Sequence, residues 1–259
     1  MNIAILCPHQ DDEILSSFYL ISRLRARGHT VHVIFATNGD YRGTEVARIR
    51  YFESKNALAL CNIDHQHIHY MGYADTGMCL AHSFLYRLYN TVNNEVLPSQ
   101  YKRYTYHPAQ GNTVHKLLFH KEAAYTRNNF ISDLSGILQY IKPDLIISPS
   151  PYDAHGDHRA LWQFMNMIPT TTPILTYLIH AGEDEKWPGR AVNIWTRPPC
   201  IPEKLWKYRI TCRMCNPELK KNAILCFASQ NPYADNSFLL SFVKEDEFFL
   251  LSHHKDIFS

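Results

Sequence analysis

Glycine is scarce in this chain, at 10 of 259 residues. No Gly-x-Gly-x-x-Gly follows the first apolar run and no Walker-type loop occurs, which argues against a dinucleotide or P-loop phosphate site. Cysteine is also thin. Cys7, Cys61, Cys79, Cys200, Cys212, Cys215 and Cys226 are odd in number and scattered, which argues against a disulfide framework and fits a reducing compartment. No sign of charge dominates. Lys+Arg is 26 and Asp+Glu is 24, a net charge of +2, so nothing provides the basic field that nucleic acid or an anionic membrane would need. No stretch approaches ~18 uninterrupted apolar residues, so no membrane span is expected. Met1 to Cys7 is apolar only briefly and lacks the basic region and long apolar core of a signal peptide. A cytoplasmic protein is the expectation.

What the chain does have is histidine, 15 of them. Hydrophobic residues make up 46% and charged residues 19%, a globular balance. The length suits a single domain, 1–259, with an elaboration. Ile3 to Cys7 reads as a buried strand. Glu13 to Arg27 has helical apolar spacing, with Gly28 as its stop. Thr30 to Ala36 reads as a second strand, Thr44 to Leu60 as a second helix with Glu45, Arg48 and Arg50 on its polar side, and His65 to Tyr70 as a third strand. This alternation implies right-handed crossovers and a parallel sheet. Residues 76–124 then lose periodicity and carry Phe84, Tyr86, Tyr89, Tyr101, Tyr104, Tyr106 and Phe119. Loops of that length are commonly lids or binding segments. The pattern resumes with a helix at Asn128 to Ile141, a strand within Asp144 to Ser148, a helix at Asp157 to Ile168 and a strand at Ile174 to Ile179. Ala191 to Thr196 reads as strand-like and Pro217 to Ser229 as helical. The expected fold is α/β: a Rossmann-like, mostly parallel sheet flanked by helices, with a long insertion and a mixed C-terminal part.

Two polar clusters stand at the carboxyl ends of predicted strands. Pro8-His9-Gln10-Asp11-Asp12-Glu13 follows the first, and Asp153-Ala154-His155-Gly156-Asp157-His158 follows the strand near 145–148. In an open α/β sheet the ligand crevice lies at those ends, where the strand order reverses. If the two strands are neighbours, the clusters face each other. Two histidines and one aspartate suit a divalent metal and leave positions open for water. Of two adjacent aspartates, one can ligate while the other accepts a proton from a bound water. The bland alternative for Asp11-Asp12-Glu13 is a helix N-terminus complementing the dipole.

Pro8-His9-Gln10-Asp11-Asp12-Glu13 resembles the Pro-His-Pro-Asp-Asp-Glu signature of the LmbE/PIG-L family of metal-dependent sugar N-deacetylases. His155-Gly156-Asp157-His158 resembles that family's His-Pro-Asp-His motif. Weaker similarities are Thr37-Asn38-Gly39, Arg50 with Glu53 and Ala57, Gly72-Tyr73-Ala74-Asp75, Lys221 with Ala223-Ile224-Leu225, Ser229-Gln230, and Glu247-Phe248-Phe249. The resemblance implies that His9, Asp12 and His158 bind the metal, usually Zn2+, with another divalent ion such as Fe2+ as the alternative. It implies Asp11 as general base, His155 as the group that stabilises the oxyanion or protonates the departing amine, and Asp157 as the residue that orients His155. Arg50, Asp75 and Asn38 fall at substrate-binding positions. The substrate implied is a small N-acetylated sugar or glycoside, and a homo-oligomer is compatible with it. Gln10 and Gly156 replace the two motif prolines, which is expected to loosen the backbone that aims the ligands.

Other features compete for attention. His65-x-His67-x-His69 would put three imidazoles on one strand face, where an exposed face is the simpler reading than a metal. Cys212-x-x-Cys215 with Cys200 and Cys226 has the makings of a zinc knuckle, but Cys226 reads as part of an apolar helix. Arg50 could instead pair with Glu53 on a helix surface, and Asp75 could be a turn residue before Gly77. The aromatics of 76–124 read as a lid whose rings stack on a sugar, or as the core of a subdomain. Two functional alternatives share the same residues: a non-haem iron oxygenase, since two histidines and a carboxylate also describe that triad, and a non-catalytic carbohydrate-binding relative.

Overall fold

The computed structural model describes all residues except 183, 185, 190–192, 215, 231–236 and 253–259. The first half runs β1 (Asn2–Cys7), α1 (Asp12–Ala26), β2 (Thr30–Thr37), α2 (Thr44–Ala59) and β3 (Ile68–Tyr73). Next come α3 (Phe84–Tyr89), α4 (Val114–Phe119), α5 (Arg127–Ile141), β4 (Leu145–Pro149), α6 (Gly156–Asn166) and β5 (Ile174–Tyr177). The C-terminal part adds α7 (Glu203–Trp206), β6 (Ile210–Arg213), α8 (Pro217–Leu225), α9 (Ser237–Leu240) and β7 (Asp246–Ser252).

The seven strands form one sheet in the order β3-β2-β1-β4-β5-β7-β6. Strands β1 to β5 are parallel, and β7 is antiparallel to both β5 and β6. Alternating side chains of β1 feed the two faces. Ile3, Ile5 and Cys7 join a core with Leu15 and Phe18 of α1 and Ile224 of α8. Ala4 and Leu6 join the other, with Phe84 of α3, Leu134 of α5 and Leu161 of α6. The chain moves outward from β1 to β3 and returns to place β4 against the other side of β1, with Ile5 paired to Ile147. The order reverses there, and both polar clusters lie at that point.

Some elements differ from the sequence reading. Residues His65–His67 form a 3-10 turn, and β3 begins only at Ile68. Of the three alternating imidazoles only His69 is therefore on the strand, where its Nε2 lies 3.0 Å from Nδ1 of His32 on β2. The insertion contains α3 and α4. Phe84 packs on Tyr125, Tyr89 on Phe164, and the Tyr106 hydroxyl donates to Asp40 at 2.9 Å. The segment expected as a strand at Ala191 to Thr196 has no regular strand among its described residues, and Ala191 and Val192 lie outside them. The last predicted helix stops at Leu225, and a 3-10 turn covers Ala228–Gln230. No disulfide joins the described cysteines; Cys215, half of the CxxC pair, lies outside them. Among the described residues no helix is long and apolar enough to cross a membrane.

One buried ion pair locks the C-terminal part to α1. Lys220 donates to the Leu15 carbonyl at 2.9 Å and to Glu247 at 2.7 Å. The Glu247 carboxylate in turn accepts the backbone N–H groups of Tyr19 and Leu20. Lys221, the lysine singled out from the sequence, instead faces outward beside Glu218.

Candidate active site

The loop after β1 and the loop after β4 meet as neighbours across the reversal point. His9 lies in the first and Asp12 opens α1 behind it; His155 ends the second as the N-cap of α6, and His158 lies in the first turn of that helix. The ring centroids of His9 and His155 are 4.6 Å apart and those of His9 and His158 are 5.4 Å apart. Ligand-capable atoms of His9, His155 and His158 all lie within 4.8 Å of one another, and so do those of His9, Asp75 and Asp157.

Asp12 sits between two of the histidines. Its Oδ2 is 3.7 Å from His9 Nδ1 and its Oδ1 is 3.4 Å from His158 Nε2. The opposite ring nitrogen of each histidine faces a different carboxylate. His9 Nε2 donates to Asp157 Oδ2 at 3.2 Å, and His158 Nδ1 lies 3.1 Å from Asp153 Oδ2. Such outer carboxylates fix the tautomer of a ligating imidazole and raise its basicity. His158 is fully buried, and neither ring nitrogen makes a hydrogen bond, although Nδ1 lies near Asp153 and Nε2 near Asp12. A buried polar atom left without a partner calls for a ligand, so the donor set fits a divalent cation.

His155 is held differently. Its Nδ1 accepts the backbone N–H of Asp157 at 3.1 Å, so Nε2 carries the proton and the neutral ring is a donor. The carboxylate of Asp157 does not reach His155; it bonds His9 and the backbone N–H of Leu85. The orientation of His155 expected from Asp157 therefore comes through the backbone.

Asp11 has φ 131°, a strained conformation for a non-glycine residue. The Glu13 carboxylate accepts its N–H at 2.9 Å, and Arg50 lies 3.6 Å from its Oδ2. Burial pushes the Asp11 carboxyl up to about 7 against the pull of Arg50, with Asp12 adding to the rise. Burial opposes the charge on Asp12 as well, but His158 and His9 outweigh it and hold that group at about 2. The two adjacent carboxyls are thus driven apart. Burial drives the His155 imidazole well below its usual range, helped by His9 and His158. Burial also opposes the imidazolium of His158, yet Asp12 and Asp153 raise that group.

A cleft of about 410 Å³ opens at His9, Asp11, Asp12 and His155, while the fully buried His158 is not part of its lining. The lining also includes the pair Arg50 and Asp75, and the apolar Val46, Met78, Phe238 and Leu239. Arg50 turns inward, away from Glu53: it donates to the Gln10 carbonyl at 2.8 Å and lies 3.8 Å from Asp75. Glu53 instead accepts from the backbone N–H and hydroxyl of Ser229, which sets Gln230 at the cleft. Gly39 has φ +64° and lets Arg50 and Gln10 approach; a Cβ there would come within 2.5 Å of Gln10 Oε1. Asn38 does not reach the cleft. Its amide donates to the Tyr106 and Gly72 carbonyls. Of residues 76–124, only Gly77 and Met78 line the cleft.

Both proline replacements are engaged by the protein around them. Gln10 is buried and donates to the Thr37 carbonyl at 3.0 Å. Gly156 donates its N–H to the Met78 carbonyl at 2.9 Å, and a Cβ on it would come within 2.4 Å of Ser83. Sequence reasoning missed two residues. Asp153 was legible within the second cluster but received no role. His180 follows β5, at the same carboxyl edge of the sheet, and lines the cleft.

A family model described as GlcNAc-PI de-N-acetylase, PIG-L, matches residues 4–168. Among curated proteins nothing matches. Among solved structures the chain is similar to a deacetylase–bog complex from the teicoplanin biosynthesis pathway, with 15% identity, TM-score 0.61, and 99% of this chain and 100% of that chain covered. It is similar to a zinc-inhibited form of teicoplanin deacetylase, with 14% identity, TM-score 0.60, and 99% and 100% covered. It is also similar to N,N'-diacetylchitobiose deacetylase from Pyrococcus horikoshii bound to an inhibitor, with 17% identity, TM-score 0.55, and 97% and 83% covered. At these identities the likeness is one of fold.

Proposed function

The chain belongs to the PIG-L family, and from that membership we propose that it is a metal-dependent N-deacetylase. It removes the acetyl group from an N-acetylglucosamine-type sugar or glycoside and releases acetate and a free amine. The observation that carries this reading is the setting of Asp12, flanked by one ring nitrogen each of His9 and His158. His9, Asp12 and His158 are the metal ligands in this reading, rather than His9, His155 and His158, because His155 Nδ1 is already an acceptor and its Nε2 a donor. Two imidazoles and a carboxylate suit Zn2+, and Fe2+ is the other candidate.

When bound, the metal supplies an acidified water and polarises the acetamide carbonyl. Asp11 stands at the cleft beside Asp12, placed to take a proton from that water, a role worth about 10²–10⁴ in rate. The neutral His155 presents Nε2–H to the oxygen that becomes negative. Asp157 steadies His9 through its carboxylate and His155 through its backbone N–H. Arg50 and Asp75 hold sugar hydroxyls, and the apolar wall faces the remainder of the glycoside. Asn38 is not assigned to substrate, since its amide is committed to backbone carbonyls.

An iron oxygenase and a non-catalytic binding protein are not favoured by the family. Metal analysis of anaerobically purified protein, run alongside a panel of N-acetylated saccharides, tests the choice. A divalent ion with acetate release is expected. Iron together with oxygen consumption would overturn the hydrolase reading.

A further inference from the structure

A second cavity lies in the insertion, lined by none of the residues that line the cleft. It measures about 440 Å³ and includes His115, Tyr104, Phe119, Lys121, Glu122 and Ser132 in its lining. Its polar centre is built from below. Asp133 on α5 is fully buried, accepts the Tyr73 hydroxyl at 2.9 Å and lies 2.5 Å from His115 Nδ1. A carboxylate placed among Phe130 and Leu134 is costly unless fully hydrogen-bonded. With Nδ1 engaged by Asp133, Nε2 is the ring nitrogen of His115 left to meet a ligand in the cavity.

The surroundings are similarly fixed. Glu122 accepts the hydroxyls of Thr105 and Thr113 at 3.0 and 2.8 Å. The Phe119 ring lies 4.6 Å from the His115 ring. Tyr104 is 58% exposed and Phe119, at the end of α4, is 44% exposed, so both rings offer a face at the cavity. Lys121 and Glu122 in the lining carry opposite charges, and Lys116, 3.8 Å from Glu122, is matched by Asp133 beneath His115, so the cavity has no excess charge of either sign. Aromatic faces beside a few placed donors and acceptors, with no net charge, match a ring that is apolar on its faces and hydroxylated at its edge.

We propose that this cavity is a second saccharide site, where a neutral sugar ring stacks on Tyr104 or Phe119 and hydrogen-bonds His115 Nε2. An N-acetylated sugar as the ligand rests on the deacetylase reading; the cavity itself does not.

Equilibrium binding of N-acetylglucosamine to the full chain tests this, with Asp11→Asn used to stop turnover. His115→Gln leaves Asp133 with only the Tyr73 hydroxyl and could unfold the protein, so Tyr104→Ala, on the exposed wall, is the second variant. A saccharide site that Tyr104→Ala weakens at least about tenfold is expected. Acetate release should be unchanged when Tyr104→Ala is made alone. A site outside the cleft that keeps its saccharide affinity in both folded variants, or no saccharide binding outside the cleft, overturns the proposal. Binding weakened by Tyr104→Ala in a protein that releases no acetate would leave this site standing and defeat the deacetylase reading. Acetate release with no second site would do the reverse.

Discussion

Each histidine that flanks Asp12 has a carboxylate on its other ring nitrogen, Asp157 for His9 and Asp153 for His158. Asp153 also accepts the N–H groups of Ile179 and His180, so it ties the ligand to the end of β5. Asp153→Asn should lower metal affinity about 10–100-fold, as measured against a competing chelator. Asp11→Asn should keep the metal and lose turnover by about 10²–10⁴; a variant that binds metal and still turns over at the normal rate would remove Asp11 as the base. Gly156 makes a stricter case. Restoring the family's proline by Gly156→Pro removes the N–H that meets Met78 and drives a ring toward Ser83. That variant should unfold at lower denaturant than the unaltered chain, whereas a protein merely loosened by glycine would be stabilised by it. The motif residues were legible as chemistry because their types and spacing suit a metal. The packing of Ser83 on Gly156 was not, because it depends on residues more than 70 positions apart.

Among the elements, β2 and β3 hold an imidazole pair whose titration opposes folding at acid pH. Burial, with neighbouring imidazoles adding to it, lowers His32 and His69 to about 4. An unfolded histidine titrates near about 6.5, so between those values the unfolded chain binds more protons. The stability this pair contributes is present above the unfolded value and is lost as pH falls from about 6.5 toward about 4. Denaturant melts over that range should show the loss, and His32→Asn should flatten it. A second element-scale prediction concerns Lys220. Lys220→Met strands Glu247 in the core and should cost about 3–5 kcal/mol, measured by chemical denaturation. The start of β3 was misplaced by the alternating histidines, whose period of two persists through a 3-10 turn. The edge strand β6 was missed because three of its four residues are exposed and its antiparallel pairing with β7 is made far along the chain.

For the whole molecule, topology does what no single motif does. The strand order places the ends of β1 and β4 side by side, so clusters about 140 residues apart become one site. That much was legible from the alternation of strands and helices and from the rule for carboxyl ends. The insertion was not, because its helices are short and its aromatics divide: Phe84 and Tyr89 pack on Tyr125 and Phe164, Tyr106 bonds Asp40, and Tyr101, Tyr104 and Phe119 stay exposed. The central claim is that this site hydrolyses an acetamide with the aid of a metal held by His9, Asp12 and His158. The most direct measurement is acetate released from N-acetylated glucosamine glycosides before chelation, after chelation and after Zn2+ is returned. Release that stops with chelator, returns with the ion and is absent in His158→Ala is the predicted result. Release that continues unchanged in chelator, with the protein shown to be metal-free, would contradict it.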